Sequence, residues 1–291
     1  MIGESASADR HALYGYTRGG PSVLEGEGLT AFKAIAAANQ TRLAVPLLLT
    51  AADVAHFNDF FTTKSLVTEL RECGYQTYWI SNQARSGRYD DNIASIGREA
   101  DIALFLSDGE VLSNHYDEEL VEKIRLLPAK GRRAFFVHLA GSHFNYRLRY
   151  PESFRPHADN MRDQYDASIA YTDSVLKSLL DSVDRSSLLF AYVSDHGEIF
   201  NDDEFGHGFL PAFKGEYRVP LLLWSSYPDA IGALQRDIGE RTVNTVSFDN
   251  IVRRLVGVPG ATTISFDTAV LAITTSGAVD YTSLREANCA Q

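Results

Sequence analysis

Short apolar runs recur along this chain, and stretches with helical spacing lie between them. The runs cover residues 77–80, 102–106, 134–139, 188–193 and 219–224. Apolar residues return every three or four positions within residues 62–73, 116–127 and 161–183, which is typical of helices with one buried face. Strands that alternate with helices predict an α/β fold, with a mostly parallel central sheet and helices on both faces.

The composition fits a single folded domain across residues 1–291. Hydrophobic residues make up 45% of the chain, which is ample for one packed core, and no linker or low-complexity stretch interrupts the pattern. The formal net charge of -11 argues against a nucleic-acid partner and against unaided adhesion to an anionic membrane. Two cysteines, Cys73 and Cys289, are too few for a disulfide framework and lack metal-ligand spacing, and their pairing stays open.

The chain starts at Met1-Ile2, which has the character of the end of a strand, and Glu4 follows in a turn. A strand of two residues is too short to anchor a sheet by itself. We therefore expect the natural protein to continue upstream of Met1. None of the apolar runs approaches the roughly 18 residues that a membrane-spanning helix needs.

The run at residues 188–193 leads directly into Ser194-Asp195-His196-Gly197. In open α/β sheets the chemistry lies just past the carboxyl ends of the strands, so Asp195 and His196 stand where a metal ion would be held. An Asp-His pair after a strand is more often a hydrogen-bonded turn than a metal site. The metal interpretation therefore depends on what the other strand ends carry.

Polar residues with metal-binding or nucleophilic groups fall at four more such points, namely Glu4, Thr41, His143 and His207. Carboxylate, imidazole and hydroxyl groups that converge on one edge of a sheet suit zinc, which accepts oxygen and nitrogen ligands in tetrahedral geometry. Each residue has a simpler alternative. Glu4 would then be a solvated turn residue, Thr41 a helix N-cap, and His207 an unpartnered loop residue.

Thr41 is the candidate nucleophile. A threonine hydroxyl is a weak nucleophile unless a base or a metal ion activates it, and coordination to a dication lowers the pKa of the hydroxyl. We expect Thr41 to open a helix that runs toward Thr50, because the helix dipole and free backbone N–H groups would then favour a phosphoryl group at that place.

The ordered set of motifs resembles the catalytic domain of the bacterial phosphoethanolamine transferases, in the alkaline phosphatase and sulfatase superfamily. The resemblance covers residues 2–226. The matching segments, in order, are Gly3-Glu4-Ser5, Leu13-Tyr14-Gly15-Tyr16, Thr41 with Pro46, Gly141-Ser142-His143, Tyr165-Asp166, Ser194-Asp195-His196-Gly197-Glu198, His207-Gly208 and Val219-Pro220-Leu221.

The resemblance implies roles for seven residues. Glu4, Thr41, Asp195 and His196 are similar to the ligands of one tightly bound zinc ion, and Thr41 is similar to the residue that becomes phosphorylated. His143 and His207 are similar to the pair that binds the phosphoryl group of the substrate or a second zinc ion. Asn82, in Trp79-Ile80-Ser81-Asn82-Gln83, is a weaker candidate for substrate contact.

The activity implied by the resemblance is transfer of phosphoethanolamine from phosphatidylethanolamine to an envelope glycan or a lipid A-type acceptor, through a phosphothreonine. It also implies a location at the periplasmic face of the bacterial inner membrane and an anchor in an upstream membrane region. Two departures concern the acceptor. The disulfides of the best-known members are absent near Thr41, and Ala167 stands where the family's helix has asparagine. The acceptor, the head group and the oligomeric state stay open.

Three other functions remain in view. A glycerol-phosphate transferase shares the fold and the nucleophile. A sulfatase or phosphonate hydrolase of the same fold needs a cysteine or serine in a Cys/Ser-x-Pro-x-Arg setting, which Thr41-Arg42-Leu43-Ala44-Val45 does not offer. A non-catalytic binding domain would retain the fold, although all six metal-site and phosphoryl-site residues are present.

Overall fold

The structure is a computed structural model that describes residues 1–87, 90–107, 115–128, 130–156, 160–200, 204–258 and 271–287. Its described strands are β1 (Ile2–Gly3), β2 (Thr30–Ile35), β3 (Gln76–Ala84), β4 (Ile102–Ser107), β5 (Arg133–His138), β6 (Leu189–Ser194), β7 (Ile199–Phe200), β8 (Phe205–Gly206), β9 (Arg218–Ser225), β10 (Val243–Asn244), β11 (Leu271–Thr274) and β12 (Gly277–Asp280). Its described α-helices are α1 (Thr41–Leu49), α2 (Leu66–Glu72), α3 (Asp91–Gly97), α4 (Glu118–Arg125), α5 (Met161–Ser182), α6 (Pro228–Ile238) and α7 (Phe248–Val256).

Eight strands form the central sheet, in the order β10-β2-β9-β6-β1-β5-β3-β4. All neighbours are parallel except β9, which runs antiparallel to both β2 and β6. The predicted mostly parallel sheet is therefore confirmed, with one reversed strand inside it. Two antiparallel hairpins, β7-β8 and β11-β12, lie outside the central sheet.

Alternate residues of the central strands enter two separate hydrophobic clusters, one on each face of the sheet. Trp79, Phe136 and Val193 belong to the first cluster, which also contains the apolar residues of α1, α2, α3, α6 and α7. Tyr78 and Val137 belong to the second, together with α4 and α5. Because side chains alternate along a strand, this division places helices on both faces, as the apolar pattern predicts.

Every predicted strand and helix is present, with some boundaries shifted, and helices α3 and α6 are additional to the predicted set. Helix α2 begins at Leu66 rather than at residue 62, because the Ser65 hydroxyl accepts a hydrogen bond from the Thr68 N–H and caps the helix there. Strand β2 is present in the structure but was not predicted from the sequence. Its sequence interrupts an apolar run with Lys33, whose side chain is exposed.

The three central strands bring the predicted site residues to one edge of the sheet. Ile2 of β1 pairs with His138 of β5 on one side and with Val193 of β6 on the other. The loops that follow these parallel strands therefore leave the sheet side by side. Across the described ranges, none of the helices combines the length and the apolar character needed to cross a membrane.

Leu222 provides a test of the packed sheet. Its side chain in β9 is fully buried in the second cluster, so Leu222→Ala should lower the free energy of unfolding by about 2–5 kcal/mol. Leu126→Ala is the matched control, because Leu126 is 81% exposed and its truncation should cost about 0.5 kcal/mol or less. Urea denaturation of both variants gives the comparison, and equal losses would contradict this placement of β9.

Candidate metal centre

Glu4 and Asp195 lie next to each other because β1 and β6 pair in register. Gly3 is opposite Ser194, so the residue after each strand enters the same space. The Ser5 N–H then donates a hydrogen bond to Asp195 Oδ1 at 3.0 Å. Ser5 has a φ of 58°, which is uncommon for a residue with a side chain, and Tyr165 holds it there by donating its hydroxyl to Ser5 O.

Glu4, Asp195 and His196 form a compact, buried group. One ligand atom from each lies within 4.8 Å of the other two. His196 Nε2 is 3.4 Å from Glu4 Oε1 and 3.5 Å from Asp195 Oδ2. All three side chains are buried, which distinguishes the group from the acidic clusters common on protein surfaces.

Thr41 completes this group. It is the first residue of α1, and its hydroxyl lies 3.0 Å from Glu4 Oε2 and 3.3 Å from His196 Nε2. The N–H groups of Leu43 and Ala44 bond back to Gln40 O, so the helix starts at the predicted residue. The structure thus brings together all four residues that the motifs suggest as zinc ligands.

The surrounding hydrogen bonds leave the metal-facing atoms available. Asp195 Oδ1 accepts from the N–H groups of Ser5 and His196, whereas Asp195 Oδ2 has no hydrogen-bond partner in the described part of the chain. His196 Nδ1 lies 3.1 Å from Gly197 O. Donation from Nδ1 to that carbonyl leaves Nε2 with its lone pair, which is the usual arrangement for a histidine that binds a metal ion.

The charges of this group also fit a dication. Burial raises the pKa of Asp195 to about 7, and repulsion from Glu4 adds to the effect. Burial opposes a charge on His196, but Asp195 and Glu4 raise its pKa to about 10. Burial likewise disfavours ionised Glu4, yet the hydrogen bond and charge of His196 hold the pKa of Glu4 far below its usual value. In the metal-free site, the proton on His196 therefore offsets the charge of the two carboxylates. A zinc ion would take the place of that proton.

His207 is held against the metal group by a buried carboxylate. Its Nδ1 lies 3.0 Å from Glu198 Oε1, and its ring centroid is 4.1 Å from that of His196. The Tyr146 hydroxyl donates to the other oxygen of Glu198. Burial, followed by the charge on His196, lowers the pKa of His207. This arrangement fixes the ring and leaves Nε2 as its second functional atom.

His143 lies on the loop after β5, and its electrostatic interaction with Glu4 adds to that of His196 in lowering the pKa of Glu4. The loop is attached to Glu4 through the Ser142 N–H, which donates to Glu4 O at 2.9 Å. Gly141 allows this approach, since it has a φ of 50° and a Cβ there would lie 2.8 Å from Glu4 O. Any other residue would push the loop away from the site.

Asn82 supports the same loop from behind. Its side chain is buried, and its amide donates to Asp117 Oδ1 at 2.8 Å and to His115 O at 3.0 Å. Asp117 in turn accepts from the N–H groups of Ala140 and Gly141. Asn82 thus acts on the site through the loop, and its predicted contact with substrate stays a prediction.

Three supporting residues were not identified from the sequence. Gln83 donates to Glu4 Oε2 at 3.2 Å, and Glu198 orients His207. The buried carboxylate of Glu216 accepts from Asn39, just before the nucleophile, and from the N–H groups of Gly208 and Phe209. Glu198 directly follows the Asp195-His196-Gly197 motif, so the sequence carried a signal for it. Glu216 lies three residues before the Val219-Pro220-Leu221 segment, outside every motif, and its contacts across the site depend on the fold.

His138 is a buried histidine of β5 outside this group. Neither of its ring nitrogens has a hydrogen-bond partner among the described residues. Burial lowers the pKa of His138 to about 4, so the ring is neutral near neutral pH. It packs edge-on against Trp79, and this contact takes the place of the polar partner that a buried histidine usually has.

Comparison with known proteins agrees with this geometry. The sulfatase family profile matches residues 1–257. The chain belongs to the sulfatase family. Two relatives from Escherichia coli (strain K12) are the Kdo(2)-lipid A phosphoethanolamine 7''-transferase, 29% identical over 78% of this chain and 44% of its own length, and the phosphoethanolamine transferase EptC, 26% identical over 78% and 44%. The resemblance to phosphoethanolamine transferases is thus confirmed.

The fold has a close counterpart among solved structures. The C-terminal periplasmic domain of EptC from Escherichia coli, in complex with Zn, superimposes with a TM-score of 0.84 at 24% sequence identity, over 97% of this chain and 91% of that chain. The expected alkaline-phosphatase-like fold is confirmed. The chain spans about half the length of the curated relatives it matches.

The buried carboxylates and imidazole would make the binding of a dication at this site depend on pH. His196 binds its proton more tightly when folded, with a pKa of about 10 against 6.5, so its contribution to stability is full below pH 6.5 and is lost as the pH rises through 10. The pKa of Asp195, about 7 against 3.8, acts in the same direction at lower pH. A dication bound here would have to displace these protons.

We therefore expect the metal-free chain to lose stability between pH 6.5 and about pH 9, while the stabilisation by zinc grows over the same interval. Thermal unfolding with zinc and with EDTA at each pH measures both quantities. A zinc effect that is the same across the interval would show that metal binding does not displace these protons.

Proposed function

We propose that this protein is a zinc-dependent phosphoethanolamine transferase that forms a phosphothreonine at Thr41. The observation that carries the proposal is the position of the Thr41 hydroxyl, at the first turn of α1 and within hydrogen-bond distance of Glu4 and His196. A hydroxyl within a cluster of zinc-binding side chains is placed for nucleophilic attack rather than for helix capping alone.

The site residues have separate roles in the reaction. Glu4, Asp195, His196 and Thr41 would hold one zinc ion, whose Lewis acidity would favour loss of the Thr41 proton and offset charge on the phosphoryl oxygens. Thr41 Oγ1 attacks the phosphorus of phosphatidylethanolamine. The bond from phosphorus to the diacylglycerol oxygen breaks, and that oxygen takes a proton as it leaves.

The second half of the reaction reverses the first. A hydroxyl or phosphate of an envelope glycan or lipid A-type acceptor attacks the phosphorus and releases Thr41, which regains its proton. His143 and His207 bind the phosphoryl oxygens or a second zinc ion. Glu198 keeps His207 in position for this task through its hydrogen bond to Nδ1, since phosphoryl transfer depends mainly on positioning and electrostatics.

The relatives support this assignment. Both named relatives are phosphoethanolamine transferases, one of them specific for Kdo(2)-lipid A, and the similar solved domain of EptC is described as periplasmic and in complex with Zn. By analogy we propose that the chain acts as one domain at the periplasmic face of the inner membrane, where an upstream membrane segment would bring it to its lipid donor. The acceptor belongs to the same envelope.

The proposal is tested by trapping the intermediate. The zinc-containing protein is incubated with detergent-dispersed phosphatidylethanolamine without acceptor, and its intact mass and peptide map are recorded. A phosphoethanolamine adduct should form on Thr41, persist in Thr41→Ser, and be absent from Thr41→Ala, since only a hydroxyl can carry it.

The same experiment with phosphatidylglycerol decides between head groups. A glycerol-phosphate adduct in place of phosphoethanolamine would replace the proposal with the glycerol-phosphate alternative. Protein that binds zinc but gives no adduct with either lipid would favour a binding domain or a hydrolase.

His143 and His207 are expected to contribute to the rate of transfer but not to zinc binding at the first site. His143→Ala and His207→Ala should retain the first zinc ion and the thermal stability of the parent, yet transfer phosphoethanolamine at least about 100-fold more slowly. His56→Ala is the control, because His56 is exposed and pairs with neighbouring Asp53. Elemental analysis and initial rates provide the measurements, and full activity in either variant would remove that histidine from the site.

A further inference from the structure

Two exposed phenylalanine rings lie beside the candidate site. Phe144 is 45% exposed and directly follows His143, and Phe205 is 43% exposed and lies two residues before His207. The two rings stack on each other, with centroids 6.3 Å apart and an interplanar angle of 20°. We refer to Phe144 and Phe205 as the aromatic pair. It connects the loops that carry the two predicted phosphoryl-binding histidines.

The aromatic pair is held by the residues that orient His207. Tyr146 packs edge-on against Phe144 with centroids 6.1 Å apart, and its hydroxyl donates to Glu198, the partner of His207 Nδ1. Phe205 stacks on Phe200, which is buried. The exposed apolar surface therefore has a fixed position relative to the histidines.

The loops that carry the two histidines combine polar and apolar chemistry. His207 packs against His196 of the ionisable metal group, and Phe144 and Phe205, close to the histidines in sequence, remain almost half exposed to water. Such a combination fits a ligand with a polar phosphodiester and an apolar body. Single exposed apolar residues need no explanation, but a stacked pair beside a phosphoryl site is a built surface.

The net charge of -11 argues against attraction to an anionic bilayer surface as the source of lipid affinity. Contact with the apolar part of the lipid would have to supply that affinity instead. We infer that the aromatic pair binds the acyl-glycerol part of the donor next to its phosphate, and so selects a lipid over a soluble ethanolamine phosphodiester. This inference rests on the proposed function.

The test compares two donors that differ only in their acyl chains. Monomeric dihexanoyl-phosphatidylethanolamine and glycerophosphoethanolamine are each offered to the zinc-containing protein, and kcat/KM for the adduct on Thr41 is measured. Phe144→Ala/Phe205→Ala should lower the preference for the lipid, expressed as the ratio of the two kcat/KM values, by about 10- to 100-fold, as expected from the apolar area lost.

Two further variants separate binding from structural effects. Phe144→Leu/Phe205→Leu retains apolar surface and should recover most of the lipid preference. Phe61→Ala removes another exposed ring, which is 68% exposed and packs against Phe60 rather than near the histidines, and should leave the preference as it is in the parent.

The outcomes are distinguishable. A parent protein that forms no adduct with either donor overturns the proposed function, and the inference with it. If the parent forms the adduct, two results with the alanine variant overturn the inference alone. These are a lipid preference equal to that of the parent, and an equal fall in kcat/KM for both donors. Equal loss would mean that the rings only support His207.

Discussion

Two carboxylates buried beside one imidazole are the constraint around which this molecule is arranged. Glu4 and Asp195 repel each other in a place with little water, and His196 offsets only part of that repulsion. Burying like charges is tolerated when a cation or proton lies between them. The surrounding backbone therefore supplies N–H donors, as at Ser5 and His196, to the oxygen of Asp195 that faces away from the shared space.

A second set of polar groups fixes the loops around this centre. Asp117 holds the loop after β5, Glu198 holds His207, and Glu216 joins Asn39 to the His207 loop. Each is a buried carboxylate that accepts hydrogen bonds from residues next to a site residue. Removal of one would leave buried N–H groups without partners, which is costly, so the loops are expected to retain their positions whether or not a ligand is bound.

The sequence was sufficient for the parts of the molecule that repeat a simple pattern. Five apolar runs correspond to β3, β4, β5, β6 and β9, and the residues after β5 and β6 include His143, Asp195 and His196. The sequence was insufficient where tertiary contacts determine the register or direction of a strand. A register shift between Ser81 and Ala84 disturbs the alternation of β3, so that the choice between Asn82 and Gln83 could not be made from spacing. The direction of β9 likewise depends on its neighbours.

The central position of β1 has a consequence for how the protein is made. Ile2 pairs with His138 and with Val193, so β1 cannot be enclosed in the sheet until both β5 and β6 have been synthesised. Contacts between residues so distant in sequence form late, because closing a long loop costs entropy before it gains any contact. Glu4 and Asp195 therefore meet only when the sheet closes, and a metal ion that needs both of them would stabilise the finished sheet but not the intermediates that precede it.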